Sequence, residues 1–400
     1  MKFDFTTIPD RHGKDALALD GIGQFPTAPA APEEGFDAIP MWVADMNFAT
    51  APSVVRAMEE RLRHPLFGYF TPTDEYYNAI IRWQETRHSA AGLEKRMIGY
   101  ENGVLGGVVS ALNVMCSRGD SVLVHSPTYI GFTGVLKNNG YRIVHSPLTR
   151  DAGGVWRMDY EDMERQIREN RIHAAILCSP HNPCGRVWER EELEAAYEIF
   201  RKYDVQVISD EIWSDILLAG HRHIPSQSIS EDAAMRTVAL YAPSKTFNLA
   251  GLIGSYHIIR NDRLRHRVEK ESSLCHYNDM NVLSMHALTG AYSDEGMAWT
   301  DELCAVLTEN VRYAVDYIRS HFEGVTVFEP EGTYMLFIDC EAWLKAHGCT
   351  LRELEEKGWR VGVAWQDGAM FHGPTSIRMN LALPKSRLEE AMDRLNRYVF

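Results

Sequence analysis

The chain has 400 residues, of which 45% are hydrophobic and 24% charged, and its net charge is −14. This length predicts more than one hydrophobic core, and the acidic balance argues against the basic surface that nucleic-acid binding requires. No apolar run is long enough to span a membrane, and residues 1–15 lack the apolar centre of a signal peptide, so we expect a cytosolic protein.

The first 40 residues predict an irregular segment. The stretch "FPTAPAAPEEG" (25–35) has three prolines within seven residues, which is typical of an extended arm. From about residue 100 onward, short apolar runs recur and predict buried strands at 121–127, 142–148, 174–180, 205–212, 237–244 and 254–260. Helical patterns such as 191–203 separate many of them. This alternation predicts an α/β domain with a mainly parallel sheet between helices.

The pattern changes after about residue 290. A long amphipathic helix is predicted at 301–322, with short strands at 333–340 and 376–383, which indicates a second, α+β domain. We therefore predict three parts. Residues 1–45 form an arm and part of the small domain, 46–288 form the large domain, and 289–400 form the rest of the small domain.

The cysteines and histidines predict neither disulfides nor a metal site. The number of cysteines is odd and no C-x-x-C pair occurs among Cys116, Cys178, Cys184, Cys275, Cys304, Cys340 and Cys349. The "HRH" stretch at 221–223 has no third ligand nearby, and a solvated loop is the interpretation we favour there. We expect no metal.

Polar residues follow four of the predicted strands. Tyr129, Asn182, Asp210 and the pair Ser244–Lys245 each come directly after an apolar run. Ligands of open parallel sheets bind beyond the carboxyl ends of the strands, so these residues are predicted to meet in one crevice. Each also has an ordinary structural explanation: Asp210 as a helix cap, Asn182 as a turn residue, Tyr129 as a helix-start aromatic, and Lys245 as a solvated lysine at the end of a strand.

Pyridoxal phosphate (PLP) is a ligand that would need this combination. A lysine amine condenses with its aldehyde, and a carboxylate about 4 Å from the ring nitrogen would contribute roughly 4 kcal/mol to keeping it protonated. An aromatic ring can stack on the pyridine, and an amide can bond the ring oxygen. For the phosphate, "ENGVLGGVVSALNVM" (101–115) predicts a glycine-led helix start whose N–H groups can face an anion.

Four stretches resemble the fold-type I PLP enzymes of the class I/II aminotransferase superfamily. They are "SPTYIGF", "SPHNPCGRVW", "VISDEIWSDI" and "APSKTFNLAGL", and they occur in the family's order. "IPMWVADMNF" (39–48) and "FGYF" (67–70) resemble the MalY/PatB-like branch of cystathionine β-lyases, also called C–S lyases. The resemblance implies an aspartate aminotransferase-like fold, with a seven-stranded, mainly parallel sheet and a smaller α+β domain.

The resemblance also implies roles at the cofactor ring. Lys245 would carry the cofactor and move the proton of the substrate Cα. Asp210 would pair with the ring nitrogen, Asn182 would bond the ring oxygen and lie beside the substrate, and Tyr129 would stack on the ring.

Further implied roles concern the phosphate and the substrate. The phosphate would be held by Gly103, Val104, Leu105 and Ser244. Tyr69 would reach the phosphate of a neighbouring subunit, which implies a homodimer with shared sites. Arg378 would grip the substrate α-carboxylate in a bidentate manner.

Three positions depart from the wider family. Ile253 stands where many aminotransferases have a phosphate-binding arginine, and Trp213 stands where many have a tyrosine. Asn47 stands where the β-lyase branch often has aspartate, which leaves any role for it open. The first two departures look more like the β-lyase branch.

We therefore predict a PLP-dependent β-lyase that eliminates the thiol from L-cystathionine or another S-substituted L-cysteine. An aminotransferase on the same scaffold is the nearest alternative, and a non-enzymatic PLP-binding regulatory protein is a distant third. Trp42, Tyr69 and Trp365 either line an aromatic substrate pocket or belong to the core; the sequence leaves both open.

Overall fold

The computed structural model describes residues 1–274 and 277–400, so Cys275 lies outside the described residues. The other six cysteines are unpaired. The strands, in chain order, are β1 (Ile39–Pro40), β2 (Ile98–Glu101), β3 (Ser121–Ser126), β4 (Arg142–Pro147), β5 (Thr149–Arg150), β6 (Trp156–Arg157), β7 (Ala174–Cys178), β8 (Gln206–Asp210), β9 (Thr237–Tyr241), β10 (Ser255–Ile258), β11 (Thr326–Val327), β12 (Met335–Asp339), β13 (Val363–Ala364), β14 (Gln366–Asp367) and β15 (Ser376–Asn380).

The helices surround these strands in both parts of the molecule. They are α1 (Leu17–Asp20), α2 (Pro52–Leu62), α3 (Asp74–His88), α4 (Val104–Met115), α5 (Ile130–Asn138), α6 (Tyr160–Asn170), α7 (Arg190–Lys202), α8 (Glu231–Arg236), α9 (Asp262–Ser273), α10 (Val282–Ala291), α11 (Asp294–His321), α12 (Glu341–His347), α13 (Leu351–Arg360) and α14 (Lys385–Tyr398). Among residues 1–274 and 277–400, no helix combines the length and apolarity needed to cross a bilayer.

The larger sheet has seven strands in the order β2-β10-β9-β8-β7-β3-β4. All are parallel except β10, which runs antiparallel to both neighbours. All five residues of β7 and of β9 are buried, because helices cover both faces of the sheet. The predicted mainly parallel seven-stranded sheet is confirmed.

Proline sets where several strands end. β3 ends immediately before Pro127, and β7 and β9 end two residues before Pro180 and Pro243. Proline has no backbone N–H to offer the ladder, so each strand is shorter than the apolar run that predicted it. The polar residues after these prolines are released from the sheet at its carboxyl edge. Strand β2 was not predicted, because its four residues carry too short a pattern.

The second sheet is antiparallel, in the order β11-β12-β15-β14, and the 28-residue helix α11 precedes it. Strand β1 of the N-terminal segment pairs with β13, with Ile39 opposite Val363. One buried hydrophobic cluster includes Met41 and Met46, and also Leu288 and Ala291. The predicted boundaries at 45/46 and 288/289 stay predictions, because this cluster continues across both.

Candidate active site

A cavity of about 270 Å³ lies beyond the carboxyl ends of the central strands, and we call it the strand-end cavity. Its lining includes eight of the ten residues proposed from the sequence: Gly103, Val104, Leu105, Tyr129, Asn182, Asp210, Ser244 and Lys245. Arg378 reaches it through Asn182. Tyr69 is not part of this lining and is fully exposed in the single chain.

One end of the cavity is the N-terminus of α4. Gly103 precedes the helix with φ = +79°, a backbone conformation that side-chain-bearing residues rarely adopt, and no side chain of the described residues caps the helix. The first N–H groups of a helix have no partner within it, and they carry the positive end of its dipole. Together with the Ser244 hydroxyl, the N–H groups of Val104 and Leu105 therefore form a place for an anion.

The turn before α4 is held in place by the side chain of Asn278, which was not predicted to be a site residue. Asn278 accepts a hydrogen bond at 2.5 Å from the N–H of Asn102 and donates to the carbonyl oxygen of Tyr100 at 2.7 Å. It also donates to Oε2 of Glu101, a fully buried carboxylate that pairs with His257 at 2.7 Å. Asn278 thus fixes three consecutive residues at the start of the anion site.

Lys245 projects its amine into the cavity. Nζ donates a hydrogen bond of 2.8 Å to the carbonyl oxygen of Ala44 and lies 5.7 Å from the ring centroid of Trp213. The pKa of Lys245 is lowered to about 8, chiefly by burial and also by the nearby Arg378 guanidinium, against the opposing pull of Asp45 and Asp210. The amine is therefore much closer to a free base at neutral pH than an exposed lysine is.

Asp210 ends strand β8 and is 3% exposed. Its Oδ1 accepts a hydrogen bond of 3.1 Å from the N–H of Ile212. Burial raises the pKa of Asp210 to about 7, and the Ile212 N–H and the Lys245 charge only partly counter this. A cation placed against this carboxyl would ionise it, so the site suits a protonated ring nitrogen.

Arg378 lies on β15 and is 3% exposed. Its Nη1 donates to Asn182 Oδ1 at 3.3 Å, and its Nη2 donates to the Trp42 carbonyl oxygen at 3.0 Å and to Gln366 Oε1. The guanidinium carbon stands 4.2 Å from the ring centroid of Phe371. Burial lowers the pKa of Arg378 to about 10, and Nε has no hydrogen-bond partner among the described residues. A buried cation with a spare donor suits a carboxylate.

Tyr129 precedes α5, and its ring crosses the backbone of Gly131. A Cβ at position 131 would lie 2.3 Å from Tyr129 Cε1, so only glycine leaves room for this ring position. The sequence pattern predicts no role for the glycine of "SPTYIGF", and in the structure this glycine makes space for the Tyr129 ring.

One interpretation from the sequence needs correction, and the structure bears on the alternatives left open for Trp42, Tyr69 and Trp365. His223 of the "HRH" stretch is not in a solvated loop: it is buried, and its Nε2 bonds Glu211 at 2.6 Å. Trp42 and Trp365 are buried and lie in a separate cavity, described below, and exposed Tyr69 is not in its lining. These three aromatic residues therefore do not form one pocket within the chain.

Asn47, whose role the sequence left open, accepts a hydrogen bond of 2.9 Å from Arg11.

The family of the chain follows from its sequence as a whole. Residues 38–395 match the family "Aminotransferase class I and II". The chain belongs to this family. Cystathionine beta-lyase PatB of Bacillus subtilis is 34% identical over 364 residues, covering 90% of this chain and 92% of the relative. Protein MalY of Escherichia coli is 30% identical over 396 residues, covering 98% and 97%.

The fold of this class I and II family member also matches solved structures. Cystalysin from Treponema denticola, solved with a pyridoxal 5'-phosphate cofactor, has a TM-score of 0.90 and 31% identity. The match covers 99% of this chain and 98% of that one. The aspartate aminotransferase-like fold that the motifs implied is thereby confirmed.

Proposed function

We propose that the protein is a PLP-dependent carbon–sulfur β-lyase. With one water, it converts L-cystathionine or another S-substituted L-cysteine to a thiol, pyruvate and ammonia. The observation that carries the proposal is the meeting of Lys245, Asp210 and the bare α4 N-terminus in one cavity, beside Arg378. The name of the Bacillus subtilis relative, cystathionine beta-lyase PatB, which shares 34% identity with this chain, favours lyase chemistry over transamination.

The residues of the strand-end cavity fit the cofactor. The uncapped N–H groups of Val104 and Leu105 and the Ser244 hydroxyl would hold the phosphate. The Asp210 carboxyl, which has no cationic hydrogen-bond partner in the part of the chain that the structure describes, would pair with the ring nitrogen. Asn182 would bond the ring oxygen, and Tyr129 would cover the ring. When bound, PLP supplies an aldehyde that captures amines and a protonated ring that accepts the electron pair left at the substrate Cα.

The chain's own groups would then move protons and hold the substrate. Arg378 would bind the α-carboxylate, with its guanidinium oriented by Trp42 and Gln366. The amine of Lys245, with its pKa lowered to about 8, would take the Cα proton and then protonate the departing thiolate. The Cα–H and Cβ–S bonds break as a Cα–Cβ double bond forms, and addition of water yields pyruvate and ammonia.

We also propose that the enzyme works as a homodimer in which Tyr69 of one copy completes the phosphate site of the other. Tyr69 lies in a segment without regular structure in which Leu66, Phe67 and Phe70 are also exposed. An exposed apolar cluster of this kind favours a covered surface in the assembled protein. The unpaired state of the six described cysteines supports a cytoplasmic location for the enzyme.

An aminotransferase is the second candidate, because the same lysine, aspartate and arginine would serve it and the family includes such enzymes. The deciding experiment measures pyruvate from L-cystathionine with holoenzyme and no keto acid. We expect sustained multi-turnover release that disappears in Lys245→Ala and persists in Lys202→Ala, a surface control. A single turnover that requires a keto acid to continue would favour the aminotransferase.

A further inference from the structure

A second cavity of about 220 Å³ lies next to the support of Arg378, and we call it the indole cavity. Three indole side chains line it, those of Trp42, Trp359 and Trp365, and Pro26 and Pro29 of the N-terminal arm close one side. Among the described residues, the indole cavity and the strand-end cavity share no lining residue. Nothing in the proposed reaction uses it.

An unsatisfied carboxylate belongs to this cavity. Glu355 on α13 is 1% exposed, and its Oε1 has no hydrogen-bond partner among the described residues. Its Oε2 lies 3.8 Å from Arg352, but that arginine is largely exposed and bonds Glu356 at 2.9 Å. A buried carboxylate oxygen without a donor is energetically costly, which makes this group a candidate to receive a ligand.

The charges around Glu355 favour a positive ligand. Asp367 also lines the indole cavity, so two carboxyl groups face one partly engaged guanidinium. The pKa of Glu355 is raised to about 8, chiefly by burial and also by the nearby Asp367, while Arg352 opposes the shift. Glu355 is therefore mostly protonated at pH 7, and a cation beside it would drive the proton off.

We propose that the indole cavity binds a small alkylammonium ion, whose N–H donates to Glu355 while its methyl or methylene groups pack among the indole rings. Indole rings attract cations, and the volume suits a cation of a few carbon atoms. Gln366 lines the indole cavity and accepts a hydrogen bond from Arg378. The ion therefore binds one side chain away from the arginine assigned to the substrate.

Calorimetric titration of the holoenzyme with trimethylammonium chloride tests this site. Trimethylammonium is a tertiary ammonium ion and cannot condense with the cofactor aldehyde, and tert-butanol serves as a neutral comparator of similar size. We expect saturable binding of trimethylammonium, at least about tenfold tighter than that of tert-butanol. Glu355→Gln should weaken it at least about tenfold, whereas Glu341→Gln, an exposed glutamate on α12, should leave it unchanged.

Proton release gives a second readout. Because the ion binds ionised Glu355, titrations at pH 7 in buffers of different ionisation enthalpy should report nearly one proton released per ion bound. Glu355→Gln must retain the wild-type unfolding temperature and cofactor content for the comparison to stand, and Asp367→Asn provides a second variant. Equal affinity for tert-butanol, unchanged affinity in both variants, or no saturable binding would overturn the proposal.

Discussion

The guanidinium of Arg378 and the side-chain amide of Asn182 are joined by a hydrogen bond of 3.3 Å between Nη1 and Oδ1. The two residues are 196 positions apart, one on the antiparallel sheet and one beyond the parallel sheet. Since Asn182 is proposed to touch the cofactor ring and Arg378 the substrate carboxylate, this contact sets the distance between the two ligands.

Arg378→Lys should weaken substrate binding more than cofactor binding. A lysine cannot reproduce the planar donor arrangement that spans Asn182, Trp42 and Gln366. We expect kcat/KM for L-cystathionine to fall by about 10²-fold or more, mainly through KM, while cofactor content stays unchanged. Arg319→Lys, on the exposed face of α11, is the matched control. A variant with wild-type KM would contradict the carboxylate role.

Asp210→Asn should change how stability depends on pH in the cofactor-free protein. The pKa of Asp210 is raised from 3.8 to about 7, so between these values the folded state holds a proton that the unfolded state releases. Stability of the wild type therefore falls as pH rises through this window, relative to the variant, by up to about 4 kcal/mol. Thermal unfolding of both proteins across the window measures this. Parallel pH profiles would refute the buried-carboxyl account.

Asn278→Ala should weaken cofactor binding, although Asn278 itself is not proposed to contact the cofactor. The substitution removes the three hydrogen bonds to residues 100–102 and leaves buried Glu101 short of a donor. Loss of such contacts costs about 1–3 kcal/mol, which corresponds to a roughly 5- to 150-fold higher dissociation constant for PLP if α4 shifts. Titration of the cofactor-free protein measures it. Asn139→Ala, which removes a hydrogen bond at the end of α5, should not have this effect.

Ile253→Arg should tighten cofactor binding. Ile253 is half-exposed, lines the strand-end cavity close to Gly103, and adopts φ = +50°, which is unfavourable for a β-branched side chain. An arginine would relieve that crowding and add a cation near the anion site. We expect the dissociation constant for PLP to fall by about tenfold. Ile253→Leu separates the two effects, because it relieves the crowding alone.

Mixing two inactive variants should restore activity if Tyr69 acts across a dimer. A Lys245→Ala copy paired with a Tyr69→Ala copy would carry both defects in one site and leave the other site intact. Random mixing makes half of the dimers mixed, so about a quarter of wild-type activity should return. The measurement is pyruvate release after joint unfolding and refolding. Activity no higher than that of the separate variants would place Tyr69 outside the shared site.

The local sequence pattern was sufficient to predict the site residues that lie at strand ends. Asp210 and Lys245 follow apolar runs, and the lengths of these runs and their prolines indicate where each strand ends. Because neighbouring parallel strands end at the same edge of the sheet, the two residues are expected to lie close together. The fold was predictable for the same reason. The cavity residues that directly follow a strand could therefore be predicted from the sequence.

Contacts between distant segments were not predictable in this way. The Ala44 carbonyl oxygen that accepts the hydrogen bond from the Lys245 amine is 201 residues away. Because every residue has a backbone carbonyl, the residue type at position 44 does not predict this contact. Asn278 looks like an ordinary turn residue, and its three hydrogen bonds depend on how the segment after α9 returns to the sheet. Burial of His223 likewise arises from Glu211 meeting it in the folded chain.

The order in which the site's parts occur along the chain bears on how the enzyme is made. Every described residue that lines the strand-end cavity lies between Ala44 and Ser255, whereas Arg378 comes 123 residues after the last of them. During synthesis from the N-terminus, the residues proposed to hold the cofactor ring and phosphate are therefore all translated well before Arg378, which is proposed to bind the substrate carboxylate. Under the proposed roles, the residues that retain the cofactor are synthesised first, and the C-terminal segment then adds the arginine that selects amino-acid substrates.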